Sequence, residues 1–211
     1  MDHYTTAPDW AAPLQATGLD NLVSLLMHTE GTCLSMHSRG STFRSTLNGG
    51  QTVYLKRDHY TMLKDICGQL LRLERPRAKS VREAMVIERL RQAGFRVPVI
   101  IASGWRSRLL GLPTVAGIIM LPLPGVSLED YLAQETDPEK RHQAIARCEA
   151  VLDEFQQRGV YWPDSKPEHF LLQSDGTVGL IDLERVEFRH APLDTTRANR
   201  QLAHFRRRLP R

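Results

Sequence analysis

The sequence predicts an α+β fold in which a small antiparallel sheet comes first and a mostly helical part follows. Three observations support this prediction. Residues 51–57 alternate apolar and polar side chains directly after an Asn-Gly-Gly turn, a strong hairpin signal. Residues 137–158 carry the start and stop signals of a long helix. Residues 170–182 hold two apolar runs around an Asp-Gly pair, the pattern of a second hairpin.

The first sheet is expected to contain three consecutive strands. Residues 33–38 and 42–47 flank the turn at Arg39-Gly40-Ser41, and the third strand, 51–57, contains Lys56. A helix is predicted next, over residues 80–93, with apolar side chains near helical spacing and Gly94 at its end. Ser80 and Glu83 also match a capping box, in which Glu83 would bond the backbone of Ser80.

The helical part should begin after a buried strand at 115–123, which Pro124-Gly125 ends. A short helix is expected at 127–132. In the long helix that follows, Asp137 is a suitable N-cap and Gly159 a suitable end. One face of this helix should be buried, and it carries Ile145, Cys148, Leu152 and Phe155.

The segment 160–184, VYWPDSKPEHFLLQSDGTVGLIDLE, contains the most specific pattern in the chain. Asp164 lies just before the predicted hairpin and Asp182 at its far end, so the hairpin should bring both carboxylates into one cleft. Such a pair suits a metal-bound phosphate, because one carboxylate can orient a hydroxyl nucleophile while the other holds Mg²⁺. The alternative is an ordinary hairpin with two surface aspartates.

The motif D-x-x-x-x-H-x-L-L followed by L-I-D-L-E resembles the catalytic segment of the lipopolysaccharide kinase family (InaA type). Protein kinases have Asn where this chain has His169, and Phe-Gly after the second Asp. The resemblance implies a minimal protein-kinase-like fold in a single domain of two lobes. The N-lobe would span about 20–122 and the C-lobe about 126–205, and a basic tail would follow at 206–211.

The resemblance also implies the roles of individual residues. Lys56 would contact the phosphates of ATP, and Glu83 would pair with Lys56, with Glu88 as a second candidate. Asp164 would accept or orient the proton of the acceptor hydroxyl. Asp182 would hold Mg²⁺ and His169 would stand beside the metal, although Mg²⁺ prefers oxygen ligands. Arg39 and Gly40 would lie over the phosphates, but a plain hairpin turn explains a single glycine equally well.

Composition limits the classes of protein that fit. The chain has 211 residues and three scattered cysteines, which is typical of one domain in a reducing compartment. No secretory leader or membrane-spanning run is evident, so we expect a cytoplasmic protein. The net charge is +4, with basic excess in residues 56–108 and 185–211. These stretches suit ATP, an anionic glycolipid or sugar acceptor, and peripheral contact with the inner face of the cytoplasmic membrane.

The sequence is therefore compatible with three functions. The resemblance favours an ATP-dependent kinase that phosphorylates a sugar of the lipopolysaccharide inner core, heptose or Kdo, or a related small molecule. A catalytically weak or inactive kinase-like stress or regulatory protein is the alternative, since the chain lacks a glycine-rich loop. A nucleic-acid-binding protein is disfavoured, because no recognised nucleic-acid motif accompanies the basic charge.

Overall fold

The chain forms two compact units. The computed structural model describes residues 1–71, 76–108 and 112–210. The first unit comprises residues 1–88 and 98–122, and the second comprises residues 89–97 and 123–211. That the two units make up one kinase-like domain remains a prediction.

The first unit is built on one six-stranded sheet. Its strands are β1 (Asp2–Thr6), β2 (Thr32–His37), β3 (Gly40–Thr46), β4 (Thr52–Asp58), β5 (Ile100–Ser107) and β6 (Pro113–Met120). Its helices are α1 (Ala11–Ala16), α2 (Leu22–Met27), α3 (Leu63–Leu71) and α4 (Lys79–Gln92), of which α4 continues into the second unit after Glu88.

The strands follow the order β1-β5-β6-β4-β3-β2, and every neighbouring pair is antiparallel. Strand β4 lies inside the sheet, where Lys56 is in register with Thr42 of β3 and Ile118 of β6. Its alternation is real, because Val53 and Leu55 are fully buried. They belong to an apolar core together with Leu14, Leu19, Leu25, Phe43, Leu47, Ile101, Ala102 and Ile119.

Strand β1 was not predicted from the sequence. It pairs with β5 at the edge of the sheet, with Asp2 opposite Arg106. The guanidinium of Arg106 donates two hydrogen bonds to the Asp2 carboxylate, at 2.6 and 2.7 Å. Residues before position 20 therefore belong to the sheet, although the predicted N-lobe begins at about that residue.

The second unit is richer in helix. Its helices are α5 (Leu128–Gln134), α6 (Pro138–Gln157) and α7 (Thr195–Arg207). Its short strands are β7 (Val126–Ser127), β8 (Val160–Tyr161), β9 (Phe170–Leu172), β10 (Val178–Leu180) and β11 (Glu187–Phe188). They form one sheet in the order β10-β9-β7 and a separate β11-β8 pair. The α+β prediction is thus confirmed.

Helix α6 follows its predicted signals. The Asp137 carboxylate accepts hydrogen bonds from the backbone of Glu139 and Lys140, and Pro138 occupies the first helical position. Gly159 ends the helix at φ +69°, and a Cβ at this residue would lie 2.4 Å from the carbonyl oxygen of Ala191. Glycine is therefore required there, both by the backbone conformation and by the close approach.

Helix α7 extends into the basic tail that the sequence predicts from residue 206. The helix begins after Asp194, whose carboxylate accepts a hydrogen bond from the backbone of Arg197, and it continues to Arg207. Arg206 donates hydrogen bonds to both oxygens of Glu149 on α6, at 2.6 and 2.9 Å. This pair and the buried Phe205 hold the last turn of α7 in place. Arg211 lies outside the described residues.

Within the described ranges, no helix combines the length and the apolar character that crossing a membrane would need.

Candidate functional site

The first candidate group lies in the first unit, around Lys56. Its Nζ atom lies 2.7 Å from Oε2 of Glu83, and the two side chains are 21% and 3% exposed. Strand β4 supplies the lysine and helix α4 the glutamate. An ion pair with a buried carboxylate therefore joins the strand to the helix.

A second polar contact joins strand β4 to helix α4, two residues after Lys56 on the strand. Oδ2 of Asp58 accepts hydrogen bonds from the backbone nitrogen and the hydroxyl of Ser80, at 2.7 and 2.8 Å. Ser80 is the second residue of α4, so this carboxylate satisfies an amide of the first helical turn and faces the positive end of the helix.

The capping box predicted at Ser80 and Glu83 is therefore wrong. A side chain from strand β4 caps the helix, and Glu83 is directed toward Lys56 instead. Lys56 and Asp58 are two residues apart on the strand, while Ser80 and Glu83 are three apart on the helix, so each pair shares one face.

Arg39 and Gly40 lie at the turn between β2 and β3. The Arg39 guanidinium lies 3.4 Å from the sulfur of Met62. A Cβ at Gly40 would lie 2.5 Å from the carbonyl oxygen of Arg57 on β4, so close strand packing accounts for this glycine. Their contact with phosphate remains a prediction.

The second candidate group lies in the second unit and is centred on His169. The Nδ1 atom of His169 lies 2.9 Å from the carbonyl oxygen of Asp164. A carbonyl only accepts hydrogen bonds, so Nδ1 carries the proton. In a neutral ring, the lone pair is then on Nε2.

Nε2 of His169 faces two carboxylates. Oδ2 of Asp182 and Oε1 of Glu168 each lie 3.4 Å from it. An imidazole nitrogen and carboxylate oxygens are groups that can share one metal ion. Glu168 was not predicted as a site residue.

Asp182 has an unusual backbone. The hairpin β9–β10 ends at Leu180, and the backbone nitrogen of Ile181 still donates to the carbonyl of His169 at 3.0 Å. Asp182 then adopts φ +56°, a left-handed conformation that aspartate and asparagine tolerate better than most residues. This turn directs the carboxylate toward His169.

The surroundings of Asp164 contain two further cations or potential cations that the sequence analysis missed. Nζ of Lys166 lies 3.8 Å from Oδ2 of Asp164, and Nε2 of His204 lies 4.0 Å from Oδ1. Lys166, two residues after Asp164, could have been found from that spacing. His204 is 40 residues away on α7, and no local pattern links it to Asp164.

Buried aromatic side chains pack against His169 and the neighbouring residues of this second candidate group. Trp162 is fully buried, and its ring stacks on His169 with centroids 5.9 Å apart. Phe170 contacts both Trp162 and Phe205, with centroids 5.1 Å apart in each case. Because these rings are packed, Asp164 and His169 lie on a rigid base.

The donor chemistry fits Mg²⁺ bound together with phosphate. That ion commonly takes one or two protein carboxylates and completes its shell with phosphate oxygens and water. Asp182 supplies such an oxygen, and Glu168 lies within reach of the same histidine nitrogen. In the part of the chain that the structure describes, no three His, Cys, Asp or Glu side chains form a ready-made metal cage, so phosphate would have to contribute ligands.

Comparison with known proteins identifies a family and relatives that resemble this chain. The sequence model of the lipopolysaccharide kinase (Kdo/WaaP) family matches residues 30–210. The lipopolysaccharide core heptose(I) kinase WaaP of Escherichia coli is 30% identical over 152 residues, which cover 66% of this chain and 57% of that kinase. The chain thus matches little more than half of the length of this relative.

A solved structure, described as WaaP in complex with acyl carrier protein, is similar in fold. The TM-score is 0.70 at 20% sequence identity, and the match covers 97% of this chain and 80% of that chain. At this identity the likeness concerns the fold alone, and it confirms the predicted kinase-like class.

Proposed function

The chain belongs to the lipopolysaccharide kinase (Kdo/WaaP) family, and on that premise we propose that it transfers phosphate from ATP to a sugar hydroxyl of the lipopolysaccharide inner core. The observation that best supports this proposal is the position of His169. One imidazole contacts the backbone of Asp164 and the carboxylate of Asp182. A nucleophile-orienting carboxylate and a metal-holding carboxylate are the two groups that phosphoryl transfer needs.

In the second unit, Asp164 is proposed to orient the acceptor hydroxyl and accept its proton. Asp182 is proposed to hold Mg²⁺, with His169 and Glu168 beside it. Bound Mg²⁺ would neutralise charge on the ATP phosphates. Lys166 is proposed to place a further positive charge next to Asp164, where the transferred phosphoryl group arrives.

In the first unit, Lys56 is proposed to contact ATP phosphates while Glu83 fixes its ammonium group. The ion pair restricts a flexible side chain to one orientation. Arg39 and Gly40 are proposed to cover the phosphates from the β2–β3 turn. A single glycine there offers fewer backbone donors than a glycine-rich loop, so Arg39 would add charge.

The acceptor is proposed to be a heptose or Kdo residue. This choice rests on the family and on the heptose(I) kinase relative. The glycolipid that carries this sugar is anionic, and residues 185–210 contain seven arginines against two acidic residues, a charge excess that suits such a substrate. We place the reaction in the cytoplasm, with peripheral contact at the inner face of the membrane.

The proposal is tested by measuring ATP consumption with purified lipopolysaccharide and with its core sugars. The wild-type chain should consume ATP only when an acceptor is present. Asp182→Ala and Asp164→Asn should abolish this turnover with unchanged circular dichroism. Asp153→Ala is the matched control, because Asp153 is an exposed aspartate on α6. Turnover of Asp182→Ala at the wild-type rate would refute the metal role.

A catalytically inactive, kinase-like regulator is the second candidate. The observation that favours it is the β2–β3 turn, where Gly40 is explained by its approach to the Arg57 carbonyl. Thermal unfolding with and without Mg-ATP separates the two candidates, because a bound ligand raises the midpoint. A raised midpoint together with acceptor-dependent turnover supports the kinase. An unchanged midpoint without turnover supports the regulator.

A further inference from the structure

We propose that His204 is a positioning residue for Asp164: from helix α7 it holds Oδ1 of the carboxylate and leaves Oδ2 for the acceptor hydroxyl. This inference rests on the proposed function of Asp164 as the group that orients the hydroxyl. His204 itself touches neither substrate nor metal in this proposal. Its effect on the reaction passes through Asp164.

The placement of His204 is fixed by two anchors on the same helix face. Three residues before it, Oε1 of Gln201 accepts a hydrogen bond from the backbone nitrogen of Trp162 at 2.8 Å, and Gln201 is fully buried. One residue after it, Phe205 is fully buried edge-on against Phe170. These anchors hold α7 against Trp162 and Phe170, which lie on either side of Asp164 in the sequence. The imidazole of His204 is therefore kept close to the Asp164 carboxylate.

The Nε2 atom of His204 is buried and has no hydrogen-bond partner among the described residues. A buried nitrogen in this state costs free energy, about 1–3 kcal/mol, which a donor to Asp164 would recover. Its distance to Oδ1 of Asp164 is 4.0 Å, about 1 Å longer than a hydrogen bond. In this proposal the gap closes when the acceptor binds, as catalytic hydrogen bonds that are long in the free enzyme do.

The charges around His204 favour a neutral donor. Burial lowers the pKa of His204; Asp164 raises it, whereas Arg208, Arg207 and Lys166 lower it further. Burial and these cations therefore favour the neutral imidazole, which can donate from Nε2 in one of its two tautomers. A neutral N–H donor orients the carboxylate without neutralising it, which a base requires.

Lys166 lies next to Oδ2, the other carboxylate oxygen of Asp164. Its Nζ lies 3.8 Å from Oδ2 of Asp164 and 3.4 Å from Oε1 of Glu168. The carboxylate thus lies between a histidine on α7 and a lysine on its own segment. With Oδ1 held by His204, the acceptor hydroxyl approaches Oδ2 on the side where Lys166 supplies positive charge.

The test compares three variants in the full chain. The amide nitrogen of glutamine reaches the position of Nε2, so His204→Gln keeps the donor. The amide of asparagine reaches only the position of Nδ1, and His204→Phe has no donor. We expect His204→Asn and His204→Phe to lower kcat by about 10- to 100-fold, as small misplacements of a reacting group do. The KM for ATP should stay within about twofold, and His204→Gln should restore most of kcat.

Two kinetic outcomes would overturn the proposal. One is a kcat for His204→Asn and His204→Phe within about twofold of the wild type. The other is an equal loss of kcat in all three variants, because a packing role would not distinguish glutamine from asparagine. Thermal midpoints of the three variants show whether the helix remains docked.

A second measurement needs no activity. The pKa of the His204 imidazole is followed by NMR in the wild type and in Asp164→Asn, with His204→Gln used to assign the signal. Removing the Asp164 charge should lower the pKa of His204, since that carboxylate raises it. An unchanged pKa refutes the contact. An inactive wild-type enzyme with the expected pKa change refutes the proposed function but not this contact.

Discussion

Lys56 on strand β4 and Glu83 on helix α4 form an ion pair at 2.7 Å, and the glutamate is almost fully buried. The neighbouring Asp58–Ser80 link joins the same strand and helix. The position of α4 in the first unit is therefore fixed by two polar contacts that begin two residues apart on β4. The ion pair and the cap can be broken separately, which makes their contributions measurable.

Replacing Lys56 with methionine should lower both stability and ATP binding. The change removes a cation from a buried carboxylate, and we expect the free energy of unfolding to fall by roughly 2 kcal/mol, less than for a fully buried pair because Lys56 is partly exposed. Urea unfolding measures this change, and thermal shift with Mg-ATP measures binding. Lys140→Ala is the control, because its pair with Glu135 is at the surface and spans 3.9 Å. Equal effects of the two substitutions would contradict the prediction.

Replacing Asp58 with alanine should destabilise the start of α4. The carboxylate accepts two hydrogen bonds from Ser80, and we expect a loss of about 1–2 kcal/mol, as for other N-cap deletions. Ser80→Ala removes only the hydroxyl bond and should cost less. Hydrogen exchange of the first amides of α4 reports the effect locally. The prediction fails if these amides keep wild-type protection in Asp58→Ala.

The backbone at Asp182 makes the choice of substitution important. Asparagine and aspartate both tolerate φ +56°, so Asp182→Asn should abolish phosphotransfer with little change in stability. Asp182→Val should lose activity and also about 1–2 kcal/mol of stability, because a β-branched residue is strained there. Chemical denaturation of the two variants, measured side by side, separates the carboxylate from the conformation. Equal stability of the two variants would argue against the left-handed turn.

Thiol alkylation should distinguish the three cysteines. Cys33 and Cys67 are exposed, whereas Cys148 is buried on α6, and burial raises its pKa to about 12. Because the thiolate is the reactive form, iodoacetamide at pH 8 should modify Cys33 and Cys67 and spare Cys148. Peptide mass spectrometry identifies the modified positions, and unfolding in guanidinium should expose the third. Rapid modification of native Cys148 would contradict the packing of α6.

Local patterns in the sequence predicted the parts of the fold that depend on local forces. The alternation of residues 51–57, the Asp-Gly hairpin and the caps of α6 are all present as expected. The family prediction is confirmed by the match over residues 30–210. These signals work because a turn, a cap or an amphipathic strand is specified by residues close together in the chain.

Contacts between distant residues could not be predicted in this way. Ser80 and Glu83 match a capping box in the local sequence. In the structure, however, Ser80 bonds Asp58 and Glu83 pairs with Lys56, and both partners lie on strand β4. Likewise, the proximity of His204 to Asp164 depends on where α7 docks. Glu168 could not be predicted because a charged residue in a loop resembles an ordinary surface residue until its distance to His169 is known.

The pairing of β1 with β5 has a consequence for synthesis on the ribosome. Asp2 is opposite Arg106. Strand β1 therefore stays unpaired until more than one hundred further residues, including β5, have been synthesised. At bacterial or eukaryotic elongation speeds this delay is roughly 5–20 s. During it, strand β1 exposes unpaired backbone groups, and we expect chaperones that bind extended segments to contact residues 2–6 until translation has passed β5.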